Sequence, residues 1–201
     1  MTSRGRSVRE IPTRIVFWGP RASGKTETLK AIATHLVPDT CGPLLTPSDT
    51  DSRTLFMDFL SVEMGALSGI PIRLHLVGLP GDTRLSENAL AVMRGADGFM
   101  FVADSAPGRE EENRLSLASL RSHLAAIGEP ERPIVVQLNR RDVTGARSTE
   151  EMVANLGLES NGDQWFETTA VNGSGVIEAL AAVATRIVDV LSASAEERSG
   201  T

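Results

Sequence analysis

The segment GPRASGKT, Gly19 to Thr26, constrains this 201-residue chain more than any other. It fits G-x-x-x-x-G-K-[ST], follows the apolar run IVFW (Ile15 to Trp18) and precedes helically spaced apolar residues at Leu29, Ile32 and Leu36. A buried strand, a glycine turn and a helix N-terminus in that order make a phosphate-binding loop. Glycines let backbone N–H groups curl around β-phosphate oxygens, and the helix end adds partial positive charge. In this reading Gly19, Ser23 and Gly24 line the cradle. Lys25 bridges the β- and γ-phosphates, and the Thr26 hydroxyl ligates Mg²⁺.

Further short apolar runs follow: IRLHLVGL (Ile72 to Leu79), FMFVA (Phe99 to Ala103) and IVVQL (Ile134 to Leu138). Such runs suit strands covered on both faces. Between them lie helical patterns. Leu117, Leu120, Leu124 and Ile127 share a face and end at Gly128 and Pro130; Ser148 with Glu151 forms a capping-box pattern before MVANL, with Gly157 as its terminator; Val176, Leu180, Val183, Ile187 and Leu191 make a last helix. Alternation of strands and helices predicts an α/β, three-layer αβα domain of the P-loop NTPase kind with a mostly parallel central sheet. The expected division is a folded domain over 11–192 between an N-terminal arm, 1–10, and a C-terminal tail, 193–201.

Charge and composition narrow the function. Twenty-six Asp+Glu against twenty Lys+Arg leave a net charge of -6, opposite to the basic footprint of a nucleic-acid binder. No stretch approaches the length of apolar chain that crosses a bilayer, so no integral membrane segment is expected. The single cysteine, Cys41, excludes an intramolecular disulfide framework and a multi-cysteine zinc site and suits a reducing compartment, hence a cytoplasmic location. His35, His75 and His123 read as packing or surface residues, and Glu110 to Glu112 as a first helical turn complementing the helix dipole.

A second motif selects the base. NRRD, Asn139 to Asp142, follows the IVVQL strand and resembles the [NT]-K-x-D motif of GTP-binding proteins. A buried carboxylate at Asp142 accepts from guanine N1–H and its exocyclic amine, a pair of donors that adenine lacks. Arg140 stands where lysine is usual, and its flat guanidinium and aliphatic stem still suit the face of a base. TTAVNGSGV, from Thr168, occupies the place of S-A-K in those proteins, which makes the Ala170 N–H the expected donor to guanine O6.

With these motifs the chain resembles the MglA family, the bacterial Ras-like small GTPases of gliding motility and cell polarity. The resemblance runs through SRTLFMDFL (Ser52 to Leu60), HLVGLPG (His75 to Gly81), DGFMFVADS (Asp97 to Ser105) and NRRD, over about residues 10 to 190. It implies a guanine-nucleotide switch using GTP, GDP and Mg²⁺. Arg53 resembles the family's built-in arginine finger, Thr54 the switch threonine that reaches Mg²⁺ and the γ-phosphate, and Gly81 the glycine of the second switch. The resemblance also implies a homodimeric roadblock/LC7-type activating partner (MglB-like) on the switch face, and effectors of polarity or motility.

Three positions beside the γ-phosphate depart from that pattern. Arg21 replaces a glycine of the loop, where a bulky side chain obstructs the attacking water. Asp82 replaces the water-positioning glutamine, with a shorter, acceptor-only carboxylate. Gly78 removes a side chain that could support the Mg²⁺ shell. Two readings stay open: a GTPase with slow intrinsic hydrolysis, or a catalytically impaired GTP-bound module that works by binding proteins. An opposite reading of the same positions has Arg21 itself neutralise γ-phosphate charge and Asp82 hold the water, both joining Arg53 in catalysis.

Overall fold

The computed structural model describes residues 10–36, 40–46, 57–67, 69–81 and 87–199, the side chains of 160 and 194–199 excepted. Six strands and six helices alternate: β1 (Ile11–Trp18), α1 (Lys25–His35), β2 (Asp58–Leu67), β3 (Ile70–Gly78), α2 (Glu87–Arg94), β4 (Gly98–Asp104), α3 (Glu110–Ala126), β5 (Ile134–Asn139), α4 (Thr149–Leu156), α5 (Leu158–Asn161), β6 (Gln164–Glu167) and α6 (Val176–Ser199). The sheet order is β2-β3-β1-β4-β5-β6. Among the described strands only β2 runs antiparallel, against β3; the other pairs are parallel.

The apolar runs become strands because both faces of the sheet are covered. In β1, Ile15 and Phe17 face the side that holds Leu29 and Ile32 of α1 and Leu180, Val183 and Ile187 of α6. Val16 and Trp18 face the other side, with Met93 of α2, Leu117, Leu120 and Leu124 of α3 and Met152 of α4. Every residue of β4 and β5 is buried, as strands at the centre of a three-layer stack require. The expected capping box forms: Ser148 Oγ accepts from Glu151 N–H and the Glu151 carboxylate accepts from Ser148 N–H. Gly157 ends α4 in the left-handed conformation, φ 64°. α6 carries the final helix on to Ser199, past the boundary expected at 192.

The sequence pattern gave no warning of β2 as a sheet edge. Its residues alternate in burial only over the first half, and its register slips between Glu63 and Ala66. Outside it, the segment 40–46 runs along the strand through antiparallel bridges from Cys41 to Val62 and from Leu45 to Phe59. Phosphate-loop, base-loop and second-switch residues then follow the C-terminal ends of the parallel strands β1, β5 and β3, where the loops of an open α/β sheet form its binding crevice.

Candidate functional site

The loop after β1 closes through two glycines that no other residue can replace. Gly19 (φ 151°) passes so near the sheet that a Cβ there would lie 2.2 Å from the Val102 carbonyl oxygen. Gly24 (φ 102°) would bring a Cβ to 2.2 Å from Asn139 Nδ2. Between them Ala22 holds φ 61°, a costly conformation for an L-residue, kept where the surroundings dictate it. Ser23 Oγ is buried without a hydrogen-bond partner among the described residues, a free polar atom inside the cradle.

Lys25 is 8% exposed and folds back onto the loop, its ammonium donating to the carbonyls of Gly19 (2.9 Å) and Pro20 (2.8 Å). Burial pushes its pKa down to about 8, with Asp58 pulling it back up and Arg109 pushing it further down. A cation held by carbonyls with little water is stabilised by an arriving polyanion.

Beside it, Thr26 Oγ1 donates to Asp58 Oδ2 at 2.6 Å. Asp58, the first residue of β2, pairs in register with Gly78, and a Cβ at Gly78 would stand 3.1 Å from its Oδ2. The space beside Gly78 is thus occupied by a carboxylate from the neighbouring strand. Thr26, Asp58, Lys25, Thr46 and Gly78 share a cavity of about 400 Å³. Among the described residues no cluster of three metal-ligating side chains exists. One hydroxyl and one carboxylate next to a phosphate cradle fit Mg²⁺, which keeps several waters and relies on substrate phosphates.

Arg21 is exposed at the mouth of the cavity. The second switch begins against it: a Cβ on Gly81 would lie 2.5 Å from Arg21 N and 2.6 Å from Pro20 C. Arg53, Thr54 and Asp82 lie outside the described residues.

At the base end, Asn139 bolts three segments together. Its Nδ2 donates to the Ser23 carbonyl of the phosphate loop at 2.8 Å, while its Oδ1 accepts from Thr168 Oγ1 (3.1 Å) and from Ala170 N–H (3.0 Å). The Ala170 N–H points at Asn139, so contact with a base oxygen requires sharing that proton. Asp142 is exposed rather than buried: among the described residues none covers it. Arg140 takes φ 66° and turns its guanidinium inward, Nη1 donating to Asp104 Oδ2 at 2.9 Å; its stem alone is left for a base face.

The three histidines pack as expected: His123 on Trp18 with ring centroids 6.1 Å apart, His75 on Phe59 at 5.7 Å, and His35 over Gly173. Burial pushes the Cys41 thiol pKa up, the opposite of an activated nucleophile. Sequence reading missed Asp58, Asp104 and Arg109. The signal available for the first two was an acid at the border of an apolar run, MDFL and FMFVAD.

A six-stranded sheet with one antiparallel edge strand, a glycine cradle continuous with α1 and a base loop bolted to it define a Ras-like P-loop GTPase. No protein-family model matches the chain. It is 37% identical over 187 residues to the mutual gliding-motility protein MglA of Myxococcus xanthus, covering 92% of this chain and 95% of that protein. It is 26% identical over 127 residues to the Ras-related protein Rab-4 of Dictyostelium discoideum, covering 63% of this chain and 60% of that one. The chain belongs to the MglA family of bacterial Ras-like small GTPases. No helix among the described residues is long and apolar enough to cross a membrane.

Proposed function

We propose that this protein is a guanine-nucleotide switch that alternates between GTP·Mg²⁺ and GDP, hydrolyses GTP slowly on its own and regulates polarity or motility through partners that read its switch face. The observation that carries this is the Asn139 bolt, which fastens a base-reading loop to a phosphate cradle at 2.8 Å. Within this reading Gly19, Ser23 and Gly24 shape the cradle, Lys25 leaves its loop carbonyls for phosphate oxygens, and Asp142 takes the two guanine donors while Arg140 and Ala170 border the base. Thr26, with Asp58 behind it, and Thr54 hold Mg²⁺, whose chemistry there is neutralisation of phosphate charge.

Arg53 serves as the arginine finger, an element worth about 10³ to 10⁵ in rate. Arg21 and Asp82 border the attacking water and keep the unassisted rate low. Gly81 supports this reading, because its contact with Arg21 sets the second switch directly on the phosphate loop. The gliding-motility relative supports a role in polarity or motility, and a roadblock/LC7-type dimer of the MglB kind is the proposed activator.

Acid extraction of the purified protein followed by chromatography tests the ligand. Guanosine di- or triphosphate is expected, and an adenine nucleotide would contradict the proposal. Single-turnover hydrolysis with and without a roadblock-type dimer then separates a switch from a permanently GTP-bound module: stimulated phosphate release is expected, and none under either condition would favour the module.

A further inference from the structure

Asp104, the last residue of β4, is 0% exposed and its carboxylate is shared between two arginines. Oδ1 accepts from Ala106 N–H at 3.0 Å. Oδ2 accepts from Arg109 Nε at 3.1 Å and from Arg140 Nη1 at 2.9 Å. Arg140 belongs to the base-reading loop. Arg109, at the N-terminus of α3, extends its Nη2 to the carbonyl oxygen of Arg21 in the phosphate loop and pairs its Nη1 with Glu112. An unbroken chain of charge-assisted contacts therefore runs from one recognition loop, through a buried acid, to the other.

The acid itself is held still. Asn113, fully buried in α3, donates Nδ2 to the Asp104 carbonyl at 2.8 Å and accepts the Asp104 N–H at 2.9 Å. A single oxygen facing two guanidinium groups cannot serve one without altering its hold on the other, and in a buried setting that competition is little screened.

We propose that Asp104 and Arg109 are positioning residues that couple the two loops, so that a base seated on Arg140 tightens the grip of the phosphate loop. This inference rests on the nucleotide reading above. It assigns to Arg109 a link to the cradle that neither sequence motif contains.

The test compares affinities of wild type, Arg109→Ala, Arg140→Ala and the double variant for GDP and for GMP, which lacks the β-phosphate. Trp18, against the loop, serves as the fluorescence reporter. Arg109→Ala is expected to weaken GDP about tenfold, the usual worth of one charge-assisted contact, and GMP less than about twofold. A purely structural role would weaken both alike. The double variant is expected to lose no more GDP affinity than the weaker single variant, since both act through one carboxylate. Arg109→Gln, which keeps length and one donor, repeats the comparison if Arg109→Ala does not fold. Equal losses for GDP and GMP, no loss, or losses that multiply in the double variant overturn the coupling. Absence of GDP binding by wild type overturns the nucleotide reading itself.

Discussion

Thr26 on α1 donates its hydroxyl hydrogen bond to Asp58 Oδ2 at 2.6 Å, and the sheet register sets Asp58, on β2, opposite Gly78. That register brings an acid to the metal side of the cradle from an edge strand, where the chain itself offers only glycine. In the proposed function it also ties the magnesium site to β2.

Asp58→Ala should therefore weaken the magnesium dependence of nucleotide binding by about 10- to 100-fold, the usual loss when a partner behind a metal ligand is removed. Binding of GDP without metal should change far less. Magnesium titrations of GDP dissociation rates check this, and equal loss with and without metal would contradict the assignment.

Gly24→Ala should remove nucleotide binding and destabilise the fold. The φ of 102° costs an alanine about 1–3 kcal/mol by itself. In addition its methyl would meet the Asn139 amide at 2.2 Å. Asn139→Gly in the same chain clears the collision without relieving the backbone strain. Because Asn139→Gly also removes the three hydrogen bonds that tie β5 to both loops, the double variant should regain neither the melting temperature nor the binding, read by thermal melts and GDP titration.

Lys25 trades stability for function. Its pKa falls from the ordinary 10.5 to about 8 through burial, so the unfolded chain binds more protons than the fold between those values. Stability of the nucleotide-free, metal-free protein should rise with pH across that interval, and the cost is fully present below about 8. Lys25→Met should flatten the rise, stabilise the empty protein at neutral pH and abolish binding. Urea midpoints at a series of pH values decide it; a flat profile in the wild type would contradict the account.

Replacing Arg21 by glycine together with Asp82 by glutamine should raise single-turnover GTP hydrolysis by at least about tenfold, a modest 1.4 kcal/mol off the barrier. Unchanged turnover would show that the block lies elsewhere, and a fall would show that Arg21 itself stabilises transferring charge.

Much of this fold was legible in the chain because its strands are covered on both faces and so appear as unbroken apolar runs, and because Ser148, Glu151 and Gly157 are local signals that need no tertiary partner. The cradle was legible for the same reason: Gly19 to Thr26 is contiguous. What stayed hidden depends on register. Asp58 matters because it lies opposite Gly78, and Asp104 because Arg140, from a loop distant in sequence, converges on it beside the nearby Arg109. The burial expected of Asp142 failed because it lies on an exposed loop after β5, and the motif NRRD carries no signal of what covers that loop.

Competition against a fluorescent GDP analogue, with magnesium present, is the most direct check on the central claim that the cradle and Asp142 select a guanine polyphosphate. GDP and GTP should displace the analogue while ADP and ATP at the same concentration do not. Displacement by adenine nucleotides as readily as by guanine, or no binding of the analogue at all, would contradict it.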